Sequence, residues 1–215
     1  MKVYFISGLG ADRRVFTHIH LPEGYEAVHL DWILPVKNES LGAYALRLAE
    51  KINTREQFVL VGLSMGGMIA SEISKKYPPV TTILLSSVPV SNQLPSYFKI
   101  VHLLRLHKAL PVRLIKSATV IKHFFSTKTT GDKILLRQVI ADSDPVFVRW
   151  AIDAILKWKN ETVPKPLWHI HGAKDEILPV RFTKPTHTIS KGTHMMVMTK
   201  APELNRLLTE ALTFA

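Results

Sequence analysis

Short apolar runs alternate with amphipathic stretches along both ends of this chain. Runs rich in β-branched and aromatic residues predict six strands, at 2–7, 27–32, 58–62, 81–87, 167–172 and 186–190. Apolar residues at helical spacing predict helices over 41–52, 65–77 and 202–212. Because the strand FVLV is apolar throughout, it should be buried on both sides. The alternation therefore predicts an α/β fold, with a mostly parallel central sheet of about six strands and helices on both faces.

The middle of the chain, residues 91–163, interrupts this alternation. No strand is predicted there, and amphipathic stretches predict helices over 96–110, 111–125, 133–141 and 145–158. We interpret this block as a helical lid inserted into a core domain made of residues 1–90 and 164–215. Its aromatic residues could face an acyl chain, but packing of the lid onto the sheet is the simpler expectation for Phe124, Phe125, Trp150 and Trp158.

Cysteine is absent from the 215 residues. This excludes a disulfide scaffold, a thiolate metal site and a cysteine nucleophile. It also fits a reducing compartment, so we expect a cytoplasmic protein. The apolar run at the N-terminus is interrupted by Gly8 and Gly10 and is too short for a signal peptide. No segment has the apolar length that a membrane span requires.

The formal net charge is +11, and residues 91–163 hold 12 Lys and Arg against 5 Asp and Glu. Such an excess suits an anionic partner, whether a nucleic acid, a membrane surface or an acidic substrate. The basic residues are scattered at helical spacing instead of forming a block, which is typical of a solvated helix face. We therefore expect no nucleic-acid partner, and the sequence does not indicate an oligomeric state.

The stretch VLVGLSMGGM, residues 59–68, contains the pattern G-x-S-x-G around Ser64. Larger side chains two residues to either side would crowd a sharp strand-to-helix turn, which explains glycine at Gly62 and Gly66. The turn would lift the serine oxygen clear of the sheet, at a helix N-terminus that favours a developing anion. Since the pattern lies between a predicted strand and a predicted helix, it indicates a nucleophile, with a purely structural turn as the alternative.

A serine nucleophile needs a base, and the base needs an acid that orients it. Asp175 follows the predicted strand at 167–172, and His194 follows the predicted strand at 186–190. Catalytic groups of open α/β sheets lie beyond the carboxyl ends of the strands. The order Ser64, Asp175, His194 is also the order that this architecture uses. The three residues are therefore the candidate catalytic triad.

With these motifs, nearly the whole chain resembles the α/β-hydrolase fold superfamily, in its compact, lidded, esterase-like form. The resemblance implies an oxyanion hole made by two backbone N–H groups, here those of Met65 and Leu9. Many relatives have His-Gly in the loop that contains Leu9, whereas this chain has Ser7-Gly8. A backbone donor does not depend on that histidine, so the oxyanion hole is still expected.

These features predict a serine hydrolase that cleaves a small-molecule carboxylic ester or thioester through an acyl-enzyme, without a cofactor. The same triad could instead serve hydrolysis of a lactone, an amide or a carbon–carbon bond. A non-catalytic small-molecule-binding protein with the same fold is the alternative from another class.

Other residues compete for these roles. Glu176 could replace Asp175 as the acid, and His187 could replace His194 as the base, although His187 falls inside a predicted strand. His169 and His171 form an H-x-H pair that could bind a metal. No third ligand has suitable spacing, so we expect no metal site. Asp153, on a predicted lid helix, is expected to be a surface charge.

Overall fold

A computed structural model describes residues 1–104 and 129–214 of the chain. Its six strands are β1 (Lys2–Ile6), β2 (Glu26–His29), β3 (Phe58–Leu63), β4 (Thr81–Leu85), β5 (Leu167–Gly172) and β6 (His187–Ile189). They form one sheet in the order β2-β1-β3-β4-β5-β6, and each neighbouring pair is parallel. The predicted α/β fold is confirmed.

The described residues form seven α-helices. These are α1 (Leu41–Leu48), α2 (Met65–Lys76), α3 (Ser96–Leu103), α4 (Thr130–Asp142), α5 (Pro145–Lys157), α6 (Met196–Thr199) and α7 (Ala201–Thr213). Ser40 caps α1, since its side chain accepts the N–H of Ala43 at 3.1 Å. The predicted helix over 111–125, the end of the one over 96–110, and both Phe124 and Phe125 lie outside the described residues.

The sheet has a hydrophobic core on each face, which explains why its strands are apolar throughout. Along β1, Val3 and Phe5 belong to one core cluster, with buried residues of α4, α6 and α7. Tyr4 and Ile6 belong to the other cluster, with buried residues of α1, α2 and α5. Successive strand side chains point to opposite faces. The layers are therefore helices, sheet and helices.

The edge strand β2 is shorter than the sequence predicts. It ends at His29 instead of residue 32. Leu30 makes one more hydrogen bond, from its N–H to the carbonyl oxygen of Phe5 at 2.9 Å. Beyond it, the indole N–H of Trp32 donates to the carbonyl oxygen of Ala11 at 2.7 Å. This hydrogen bond holds the segment after β2 against the loop that follows β1.

Helix α5 packs onto the core through aromatic side chains. The Trp150 ring lies 4.4 Å from the Tyr44 ring, measured between centroids. Its indole N–H donates to the carbonyl oxygen of Glu39 at 2.9 Å. The indole N–H of Trp158 donates to Glu72 Oε1 at 2.7 Å. Both tryptophans thus contact the core.

None of the helices within residues 1–104 and 129–214 is long and apolar enough to cross a membrane.

Candidate active site

Ser64 stands at the sharp turn between β3 and α2. Its backbone angles are φ 53° and ψ −119°, a conformation that L-residues rarely adopt. A β-carbon at Gly62 would overlap the backbone of Gly66 and Gly67. A β-carbon at Gly66 would overlap the carbonyl oxygens of Ile6 and Ser7. The turn therefore requires glycine at both positions that the sequence pattern singled out.

His194 and Asp175 come to Ser64 from two other strand ends. Asp175 follows β5, and His194 follows β6. His194 Nε2 lies 3.0 Å from Ser64 Oγ, and His194 Nδ1 lies 2.8 Å from Asp175 Oδ2. Both side chains are buried, with His194 only 3% and Asp175 only 4% exposed. The structure thus brings all three residues into one hydrogen-bonded line.

The surroundings of Asp175 keep its carboxyl group ionised. Burial would raise the pKa of Asp175, but the charge and hydrogen bond of His194 and the N–H of Leu178 outweigh it and hold the pKa below its usual 3.8. Asp175 Oδ1 accepts the N–H groups of Ile177 and Leu178 at 2.9 and 2.8 Å. Since a carboxylate only accepts hydrogen bonds, His194 Nδ1 carries the donated proton. The Nε2 lone pair can then take a proton from Ser64 Oγ.

The two predicted oxyanion donors are Met65, which directly follows Ser64, and Leu9, which lines the same cavity as Ser64. Met65 is the first residue of α2, so its N–H has no partner inside the helix. Leu9 lies in the loop after β1, where Ser7 Oγ donates to the carbonyl oxygen of Ala11 at 2.9 Å. A β-carbon at Gly8 would stand 3.3 Å from the β-carbon of Ser64. The loop is therefore packed directly against the serine.

A cavity of about 140 Å³ opens at this position. Its walls include Leu9, Ser64 and His194. Most of its other walls are apolar and include Phe98 of α3 and Ile155 of α5. Ser64 thus borders a small, mostly apolar space.

A second set of hydrogen bonds, which the sequence did not predict, links the backbone of Ser64 with the loop that contains Asp175. Ser87 Oγ donates to the carbonyl oxygen of Ser64 at 2.6 Å. His169 Nε2 lies 2.9 Å from the carbonyl oxygen of Ser87 and 3.3 Å from His171 Nδ1. His171 Nε2 donates to the carbonyl oxygen of Leu178 at 2.7 Å. Since Leu178 N–H binds Asp175, these bonds connect the serine turn with the acid loop.

Both histidines of this set are fully buried and donate to backbone carbonyls. Burial, with the neighbouring His171, lowers the pKa of His169 to about 4. Burial also lowers the pKa of His171. Both rings are therefore neutral at pH 7. Among residues 1–104 and 129–214, no group of three or more His, Cys, Asp or Glu could hold a metal ion.

The residues that compete with Asp175 and His194 for the roles of acid and base do not take part in this line of hydrogen bonds. Glu176 is exposed beside Asp175, and it is Asp175 that reaches His194. His187 lies in β6 and stacks on Trp168, with 4.5 Å between the ring centroids. Asp153 pairs with Lys157 on α5 at 2.5 Å.

Comparisons with known proteins agree with this fold. An esterase from Exiguobacterium antarcticum superposes with a TM-score of 0.79 at 16% identity, covering 99% of this chain and 92% of the other. A lipase-esterase related protein from Clostridium acetobutylicum gives a TM-score of 0.73 at 18% identity, covering 100% and 94%. At these identities the likeness shows a shared fold.

Sequence comparison adds an uncharacterised protein of Mycobacterium tuberculosis, 22% identical over 91% of this chain and 67% of that protein. The sequence model that describes the alpha/beta hydrolase family matches residues 3–206, from the first strand to the last helix. On this match, which spans almost the whole chain, the protein belongs to the alpha/beta hydrolase family.

Proposed function

We propose that the protein is a serine hydrolase that cleaves a carboxylic ester or thioester through an acyl-enzyme. The observation that carries this proposal is the line of two hydrogen bonds from Asp175 through His194 to Ser64 Oγ, at 2.8 and 3.0 Å. A serine hydroxyl is a weak nucleophile until a base takes its proton, and this line supplies a base with a defined tautomer.

In the proposed reaction, Ser64 Oγ attacks the substrate carbonyl carbon while His194 Nε2 takes the hydroxyl proton. The N–H groups of Met65 and Leu9 hold the negative oxygen of the tetrahedral intermediate. Asp175 stabilises the imidazolium that forms on His194. His194 then protonates the leaving alcohol or thiol, which departs as the acyl-enzyme forms. Water attacks that ester by the reverse proton route and releases the acid.

The cavity at Ser64 supports a small to medium, partly apolar acyl group, since its walls are mostly apolar. We further propose that residues 91–163 act as a lid on the core domain formed by 1–90 and 164–215. Phe98 and Ile155, which lie on two helices of that block, form part of the cavity wall. The proposed reaction uses no cofactor and no nucleic acid, and the absence of cysteine suits a cytoplasmic location.

The test is a series of p-nitrophenyl esters from acetate to laurate, assayed with the wild-type protein and with Ser64→Ala. We expect hydrolysis that is fastest for short to medium chains and that falls by at least about a thousandfold in Ser64→Ala. Ser74→Ala, which changes a serine further along α2, is the matched control and should keep full activity. A folded Ser64→Ala protein with wild-type rates would overturn the proposal.

A further inference from the structure

A second and larger cavity, of about 570 Å³, lies between α3 and the C-terminal end of α5. We call it the basic cleft, and define it by its lining residues Lys99, His102, Lys157 and Lys159. Among the described residues, no Asp or Glu lines it. A concave surface with several ammonium groups and no facing carboxylate attracts anions.

The charge of the basic cleft is only partly neutralised from its rim. Lys157 Nζ pairs with Asp153 Oδ2 at 2.5 Å. No carboxylate of the described ranges lies within 4 Å of Lys99 or Lys159, and both side chains are exposed. These two ammonium groups remain available to an anion from solution.

The basic cleft and the cavity at Ser64 share a wall. Phe98 of α3 lines both of them. On α5, Ile155 lines the cavity at Ser64, and the next residue, Leu156, lines the basic cleft. The two cavities are therefore adjacent, and Phe98 separates them.

Building on the function proposed above, we propose that the basic cleft binds an anionic group of the same substrate, a phosphate or a carboxylate. Lysine ammonium groups bind both kinds of anion through charge-assisted hydrogen bonds. The small, mostly apolar cavity would hold the acyl group, and the cleft would hold the charged remainder. Two substrate classes fit: a thioester whose thiol carries phosphate, such as an acyl-CoA, and an ester whose acyl chain ends in a carboxylate.

Binding to a protein that cannot turn over its ligand tests this directly. In Ser64→Ala, calorimetry would compare butyryl-CoA with the neutral N-acetylcysteamine butyryl thioester, and p-nitrophenyl hemisuccinate with p-nitrophenyl butyrate. The test variant adds Lys99→Glu and Lys159→Glu. The control adds Lys76→Glu and Lys133→Glu, which change net charge equally at exposed positions on other helices. Neither control position lines the basic cleft.

We expect the test variant to bind one of the two anionic ligands about tenfold more weakly, because two exposed charge contacts are reversed. Binding of the neutral ligands should not change, and the loss should shrink as salt is added. If only butyryl-CoA binds the test variant more weakly than the control variant, the basic cleft binds phosphate. If only the hemisuccinate does, the cleft binds a carboxylate. Equal binding of both anionic ligands by test and control variants overturns the proposal, as does no binding of either anionic ligand.

These outcomes stay separate from the proposed chemistry. Hydrolysis of the neutral p-nitrophenyl butyrate by the wild-type protein, compared with Ser64→Ala, reports on the triad alone. If that hydrolysis is absent while the lysine-dependent binding remains, the hydrolase proposal fails and the anion site stands.

Discussion

Ser87 Oγ donates a 2.6 Å hydrogen bond to the carbonyl oxygen of Ser64, so the segment that follows β4 holds the backbone of the strained serine. The same carbonyl oxygen accepts the N–H of Gly67 at 2.9 Å. A β-carbon at Gly67 would overlap the Ser87 side chain, which shows how closely the two segments pack. The positive φ of Ser64 is thus supported by contacts from outside its own turn.

Replacing Ser87 by alanine should weaken this support. We expect Ser87→Ala to lower the free energy of unfolding by about 1 kcal/mol, the usual worth of one hydrogen bond, because Gly67 N–H still satisfies the carbonyl. It should also lower kcat, since the serine is held less firmly. Urea unfolding and ester kinetics measure both effects. Ser74→Ala, which removes a helix-surface hydrogen bond on α2, is the control. Equal effects of the two variants would deny Ser87 a special role.

Position 66 has no room for a side chain and therefore requires glycine. A β-carbon there would overlap the carbonyl oxygens of Ile6 and Ser7, which belong to backbone that cannot move freely. Gly66→Ala should therefore lower the free energy of unfolding by about 3 kcal/mol or prevent folding. Gly131→Ala, on the open surface of α4, should instead be neutral or stabilise by about 0.5 kcal/mol. Thermal unfolding compares the two, and equal stabilities would refute the packing argument.

Asp175 should control the rate through the tautomer of His194. Asp175→Asn can keep the hydrogen bond but no longer favours the proton on Nδ1, so kcat should fall by about 10³ to 10⁴. Glu176→Gln, which neutralises the exposed neighbouring carboxylate, should keep near wild-type activity. Steady-state kinetics on one p-nitrophenyl ester measure both variants. The assignment of the acid would be reversed if the Glu176 variant lost the activity and the Asp175 variant kept it.

The buried ring of His169 should make stability depend on pH. Its pKa falls from 6.5 to about 4 on folding because burial disfavours the charged ring. Between these values the unfolded chain binds more protons, so stability is lost as the pH falls from 6.5 towards 4. His169→Gln can keep a donor to Ser87 and cannot titrate. When the pH is lowered from 7 to 5, the free energy of unfolding should fall by on the order of 1–2 kcal/mol more in the wild-type protein than in His169→Gln.

Urea unfolding at the two pH values measures that difference. The other titrating groups, including His171, are common to both proteins, and the comparison therefore isolates His169. Identical losses in the two proteins would mean that His169 titrates alike in the folded and unfolded chains.

The fold and the line of three residues could be predicted because each signal is local. The pattern around Ser64 is contiguous, and its glycines report a steric demand within the turn itself. Asp175 and His194 each follow a predicted strand and come shortly after a glycine, Gly172 and Gly192, and parallel strands bring the residues beyond their carboxyl ends to one edge of the sheet. Short-range sequence thus determines which residues meet there.

The hydrogen bonds behind that line could not be predicted in this way. The H-x-H pair suggested metal ligands at most, because spacing alone does not show what each ring faces. Its partners are the carbonyl oxygens of Ser87, far away along the chain, and of Leu178, in the acid loop. Contacts of this kind depend on how β4 and β5 pair and on how the loop after β5 folds back. The alternating histidines of β5 do indicate a shared strand face.

The most direct measurement of the central claim is covalent labelling by a fluorophosphonate, followed by intact mass and peptide mapping. Such a reagent reacts with a serine whose proton is taken by a neighbouring base. We expect one adduct on the peptide that contains Ser64, no adduct in Ser64→Ala, and slow labelling in Asp175→Asn. Folded wild-type protein that remains unlabelled, or that is labelled equally in Ser64→Ala, would contradict the account.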